Sequence, residues 1–223
     1  MPLIVIEGLD GSGKATNANA LSEKLKSLGK KVKKISFPDY DSNSSALVKM
    51  YLAGDFGKKP TDVNAFAASA FYAVDRFASF KSNWQKEYDE GYWIIADRYT
   101  TSNAVHQASK LCGIERDNYF EWLYDFEFGK MGLPKPDAVI YLDVIPEVSQ
   151  KLMTGRYNGD ENKKDIHEAD TEYLKKSRDS ALYAAGKLGW KVVSLCENGE
   201  MLSQQDAFAR VFDKIKEIYG DKL

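Results

Sequence analysis

The stretch Ile4-Val5-Ile6-Glu7-Gly8-Leu9-Asp10-Gly11-Ser12-Gly13-Lys14-Ala15-Thr16 decides how the rest of the chain reads. Its β-branched start is strand-like and stops at Glu7, and the residues that follow spell G-x-x-x-x-G-K from Gly8 to Lys14. Glycines let a backbone curl until several N–H groups point at one spot, and the next helix adds its positive N-terminal end. A lysine at the seventh place supplies a mobile charge for outer phosphates. Behind the loop, Ala18, Leu21, Leu25 and Leu28 share one helical face, so the motif lies between a strand and an amphipathic helix. The spacing predicts that Gly8, Gly11, Ser12, Gly13, Lys14, Ala15 and Thr16 hold a nucleoside triphosphate.

One position departs from the motif. Ala15 stands where Ser or Thr commonly offers a hydroxyl to Mg²⁺, and Thr16 lies about 100° further round the helix. Either the metal is held through phosphate oxygens, waters and a carboxylate elsewhere, or the chain binds the nucleotide without turning it over.

Working outward, 223 residues suit one α/β domain spanning 1–223. Lysine and arginine total 31 against 33 acidic residues, a net charge of −2, which argues against a nucleic-acid partner. The run Lys30–Lys34 reads as the exposed edge of a strand and turn. Cys112 and Cys196 lack metal-ligand spacing and read as free thiols. No apolar run approaches 18 residues, so no membrane span is expected and a soluble, cytoplasmic protein is.

Four more strands are expected at Lys31–Phe37, Tyr92–Ala96, Ala138–Leu142 and Lys191–Leu195. Helical periods fall at 14–28, 43–53, 62–89, 101–111, 116–131, 147–155, 170–187 and 203–219. Strands alternating with helices predict a parallel, helix-covered sheet with its ligand outside the strand ends. Acids sit at four of those ends, Glu7, Asp39, Asp97 and Asp143, and predict an active-site rim. Asp97, beside a phosphate loop, has the placing of a metal-side carboxylate, and Arg98 could grip a phosphate bidentately.

Tyr72 and Arg76 lie one helical turn apart, an aromatic ring and a guanidinium suited to a planar base, or equally core packing beside a surface arginine. Asn103, His106 and Gln107 open the helix after Asp97-Arg98 and are base-reading types. Residues 155–168 are charged and glycine-containing, either a solvated loop or a lid in which Arg156, Lys163 and Lys164 neutralise charge during transfer. Asn162-Lys163-Lys164-Asp165 spells the guanine-reading N-K-x-D, but it follows a polar segment rather than a buried strand, which sets that reading aside. The aromatic run 119–128 reads as core, with a second subunit as one use for its excess rings.

Taken together, G-L-D-G-S-G-K at 8–14, F-P-D-Y at 37–40, Y-A-V-D-R at 72–76, D-R-Y at 97–99, S-N at 102–103, L-P-K-P-D at 133–137 and Y-L-D-V at 141–144 resemble the thymidylate kinases along nearly the full chain. The resemblance implies the P-loop NTPase fold, with five parallel strands, flanking helices and a lid at about 155–168. It implies transfer of the ATP γ-phosphoryl group to dTMP, with Mg²⁺, in a homodimer. It also implies roles: Asp10 near the sugar and acceptor phosphate, Phe37 and Tyr40 beside that phosphate, and Tyr72 stacked on thymine. Arg76, Asn103 and Gln107 then read the base, Arg98 bridges to the transferred group, and Asp97 stands at the metal. Asp165, His167 and Glu168 fall at the lid end. His106 takes a place where related sequences often carry a tyrosine that crowds a ribose 2′-hydroxyl. Kinases acting on dUMP, UMP or a deoxynucleoside, and a silent ATP-binding regulator, are the rival readings.

Overall fold

The computed structural model describes residues 2–156, 165–168 and 170–223. Strands β1 (Leu3–Gly8), β2 (Val32–Ser36), β3 (Trp93–Asp97), β4 (Ala138–Asp143) and β5 (Lys191–Ser194) form one sheet in the order β2-β3-β1-β4-β5. Every pairing within it is parallel. β1 is buried along its whole length, as its unbroken apolar run requires of a central strand covered on both faces. β2, at an edge, alternates instead, and its lysines find partners outside the sheet: Lys33 on Glu87 at 2.9 Å and Lys34 on Asn19 at 2.6 Å.

Helices cover both faces. Ala18, Leu21 and Leu25 of α1 (Lys14–Ser27) meet Val211 and Ile215 of α9 (Gln204–Tyr219) over Ile4, Ile6 and Ile140. On the opposite face α3 (Ala65–Ser79), α5 (Thr101–His106), α6 (Gly113–Tyr124) and α8 (Thr171–Leu188) enclose Leu3, Val5, Ile94, Tyr99 and Tyr141. α2 (Ala46–Leu52), α4 (Gln85–Asp89) and α7 (Pro146–Arg156) complete the main helices among the described residues.

Several boundaries differ from the periodicity. The expected helix 62–89 begins at Ala65, capped by the Asn64 side chain, and passes through a π-helical turn at Phe80–Trp84 before α4. The segment 116–131 is α6 followed by a π-helical stretch, Asp125–Lys130, and 101–111 divides into α5 and a 3-10 turn. A short hairpin, β6 (Cys196–Glu197) and β7 (Glu200–Met201), was not expected. Its signal was Asn198-Gly199, both at positive φ (51° and 78°), the two-residue turn that matches strand twist. Of the aromatic run 119–128, Tyr119 and Phe120 are buried in the core, and Trp122, Tyr124 and Phe128 pack partly buried against it.

Candidate active site

β1 lies between β3 and β4, so connections leave it towards opposite halves of the sheet and open a crevice at its carboxyl end. The glycine loop occupies that crevice. Gly11 (φ 78°) and Gly13 (φ 81°) take the left-handed conformation that glycine reaches without strain, and α1 begins at Lys14. At Gly8 a side chain has no room, since a Cβ would lie 2.9 Å from the Leu142 carbonyl oxygen. Lys14 Nζ donates to the Leu9 carbonyl at 2.8 Å and stands 3.7 Å from Asp10. Ala15 and Thr16 are both exposed on the first turn.

Beside this loop lies a cleft of about 510 Å³. Asp10, Phe37, Tyr40, Tyr72, Arg76, Arg98, Asn103, His106, Gln107, Asp165 and His167 all line it, although they come from five separate stretches of chain. Three of them follow the carboxyl ends of β1, β2 and β3, which the parallel sheet sets side by side, while Tyr72 and Arg76 come from α3 and Asp165 and His167 from the segment before α8.

Arg98 is the hub. It adopts φ 66°, which is unfavourable for a side chain bearing a Cβ, and its backbone N–H is held by the Ile6 carbonyl at 3.1 Å. The guanidinium hydrogen-bonds Asp10 through Nη2, while Nη1 reaches Ser102 at 3.3 Å, His106 Nε2 at 3.2 Å and Glu7 at 3.5 Å. Burial alone would raise the Asp10 carboxyl pKa, but Arg98 and Lys14 outweigh it and hold that carboxyl well below the usual range. Glu7, fully buried, accepts hydrogen bonds from Thr101 and Ser102, each at 2.7 Å, which clamps α5 against the loop.

The two imidazoles stack, with centroids 5.5 Å apart and planes at 22°. Burial, then the Arg98 charge, depresses the His106 pKa, so its Nε2 accepts from Arg98 as neutral imidazole. His167 Nε2 lies 2.9 Å from the Tyr51 hydroxyl. That hydroxyl gives its one proton to the Pro60 carbonyl, so His167 is the donor.

Asp165 titrates unusually. Burial and the Asp10 charge push its carboxyl up to about 7. The folded protein therefore keeps this proton up to about pH 7, whereas an unfolded aspartate releases it near 3.8, and the stability linked to the proton is lost as pH rises through that window. Asp165→Asn should gain stability relative to the parent between pH 4 and pH 7.5, read by urea denaturation at both. A constant difference would show that Asp165 ionises normally.

Asp97 ends β3 and is 8 % exposed, and its side-chain carboxylate has no hydrogen bond or ion pair among the described residues, while its charge acts on Lys14. A free carboxylate near the phosphate loop fits Mg²⁺, which takes few protein ligands and completes its shell with phosphate oxygens and water. No cluster of three or more acidic, histidine or cysteine side chains that could hold a metal occurs among the described residues.

Two expectations need correction. Asp143 is no free rim acid: Arg178 grips it bidentately at 2.7 and 2.8 Å and holds α8 on β4. Arg76 is no surface arginine either. It is 1 % exposed, and its Nε and Nη2 are bound to Glu127 at 2.7 and 2.6 Å, leaving Nη1 with a longer contact to the Tyr99 carbonyl at 3.4 Å. Glu127 was missed; its signal was one acid between the aromatic residues Phe126 and Phe128. Tyr51 was missed too, as an unremarkable aromatic on a short helix. Arg156 closes α7, and Lys163 and Lys164 lie outside the described residues.

The family model described as Thymidylate kinase matches residues 6–218. The chain belongs to the thymidylate kinase family. It is 32% identical over 193 residues to the thymidylate kinase of Mycobacterium tuberculosis, covering 84% of this chain and 87% of that one. With the Arabidopsis thaliana thymidylate kinase it shares 27% identity over 221 residues, covering 99% of this chain and 72% of the relative. The solved thymidylate kinase structure from Candida albicans superposes with a TM-score of 0.68 at 23% identity, over 97% of this chain and 91% of the other, which shows the shared fold. Family membership accounts for the glycine loop and the cleft lying together.

Proposed function

We propose that this chain transfers the γ-phosphoryl group of ATP to dTMP, giving dTDP and ADP for dTTP synthesis. The observation that carries the reading is Asp10, which touches both Lys14 of the phosphate loop and Arg98 of the cleft, so donor and acceptor phosphates would meet there. Phosphoryl transfer asks a protein for alignment and charge neutralisation, and the acceptor phosphate is already an anionic nucleophile. Lys14 and the loop N–H groups would hold the donor phosphates. Arg98 and Tyr40 would hold the acceptor, Tyr72 would stack on thymine, and Arg76, Asn103 and Gln107 would face its edge. Mg²⁺ at Asp97 would neutralise charge on the phosphates. Asp165, His167 and Glu168, together with Arg156, Lys163 and Lys164, belong in this reading to a lid at about 155–168 on a single domain.

We also place the reaction in the cytoplasm, which two free thiols, the exposed Cys112 and the half-buried Cys196, support. No helix of the described residues is long and apolar enough to cross a membrane. The partner surface we assign to α2 and α3 rather than to the aromatic run. Leu47, Met50, Phe66, Val74 and Phe77 are each 36% to 48% exposed on these two helices, and a second copy of the chain would cover them. Light scattering should return twice 25.1 kDa; a monomer mass would remove this assignment.

Coupled ADP release with ATP and Mg²⁺ tests the function against dTMP, dUMP, UMP and no acceptor. Turnover should be highest with dTMP and absent without acceptor. Nucleotide binding without any acceptor-dependent release would instead make the chain a silent binder, and would point to Ala15.

A further inference from the structure

Glu127 is fully buried in the π-helical stretch after α6, and four donors converge on it. Oε2 accepts from Arg76 Nε at 2.7 Å and from Thr100 Oγ1 at 2.6 Å; Oε1 accepts from Arg76 Nη2 at 2.6 Å and Asn103 Nδ2 at 3.3 Å. An ionised carboxylate only accepts, so the Asn103 amide must turn its nitrogen towards Glu127, and the Ser69 carbonyl, 3.4 Å from the same nitrogen, favours the same orientation. Asn103 Oδ1 is left over, with no hydrogen bond among the described residues. Arg76 lines the cleft and is fixed through two of its three nitrogens, while Nη1 makes only the longer contact to the Tyr99 carbonyl at 3.4 Å.

Asn103 and Arg76 would therefore offer the cleft one acceptor and one donor, beside the Gln107 amide, which carries one of each. A 4-oxo pyrimidine has an N3–H to give and an O4 to receive, whereas a 4-amino pyrimidine shows the reverse, a bare N3 and an N4–H₂ donor. We infer that Glu127 is a positioning residue that sets base selection, by locking the Asn103 amide and the Arg76 guanidinium in the polarity that matches 4-oxo and opposes 4-amino pyrimidines. This rests on the reading of the cleft as the acceptor site. Glu127 itself touches no substrate; it acts through two neighbours, and nothing in the glycine loop depends on it.

Glu127→Gln keeps the shape and replaces one acceptor oxygen by a donor, which frees the Asn103 amide to turn over. Steady-state kinetics with dTMP and with dCMP, on the parent and on this variant, test the inference. The parent should prefer dTMP. Glu127→Gln should lower the dTMP over dCMP ratio of kcat/KM by roughly 10- to 100-fold. Most of that should appear in KM for dTMP, with KM for ATP unchanged. Thr100→Val removes one donor to Glu127 while leaving the acid, and should raise KM for dTMP about 3- to 10-fold. It decides the matter alone if the glutamine variant does not fold. A variant that folds and keeps the parental ratio, losing only thermal stability, would make Glu127 a purely structural anchor. A parent with no preference for dTMP would instead overturn the proposed acceptor and leave the geometry of Glu127 without that role.

Discussion

Arg98→Ala is expected to lower turnover with dTMP by roughly 10²- to 10⁴-fold, about 3–5 kcal/mol on the barrier. The guanidinium lies within hydrogen-bonding distance of Asp10, Ser102 and His106 together. Its removal takes a fixed positive charge from the place where phosphate would sit, and it leaves Asp10 without the stronger of its two counterions. Lysine at 98 should recover little, because a point charge cannot satisfy three partners that a planar fork reaches at once. The left-handed φ of 66° gives a control: Arg98→Gly relieves backbone strain, so it should fold at least as well as the alanine variant yet be equally slow. Stopped-time ADP release on purified variants reads the outcome. Near-parental turnover in Arg98→Ala would remove Arg98 from the transfer step.

The largest stability effect is expected at Glu127. Glu127→Leu leaves Arg76 1 % exposed and without a counterion, in a place where burial opposes its charge and the Glu127 carboxylate is what raises its pKa. Breaking a buried pair from one side costs about 3–5 kcal/mol, which for a chain of this size lowers Tm by about 10 °C. Removing both charges should be far milder, since an apolar pair of similar volume escapes the desolvation cost. Arg76→Met combined with Glu127→Leu should therefore melt well above Glu127→Leu alone while binding dTMP poorly. Scanning calorimetry on the three proteins checks this. A single variant within about 2 °C of the parent would show that water or another acid satisfies Arg76.

Much of this was legible in order of residues alone. The loop from Gly8 to Lys14 is local: its glycines, its preceding strand and its following helix are contiguous, and short-range sterics make such a turn wherever they occur. The alternation of apolar runs and 3.6-residue periods likewise predicted five parallel strands. Helix breaks were not legible, because the π-helical turns at Phe80–Trp84 and Asp125–Lys130 answer to packing on both sides rather than to local propensity.

Partnership is where sequence reading stopped. Asp143 and Asp97 both end apolar strands of the same sheet, and nothing near either residue tells them apart. Arg178, 35 positions away, claims Asp143, and no side chain of the described residues claims Asp97. Arg76 reads as a surface arginine until Glu127, 51 positions away, is packed against it. The sequence by itself determined the phosphate loop, the parallel sheet and the set of residues at the strand ends, since these follow from local sterics and hydrophobic period. Only the tertiary structure decided which of those charged groups are spent on one another and which stay free, because that depends on distances of a few ångströms between segments far apart in the chain, where burial makes each pairing or its absence cost several kcal/mol.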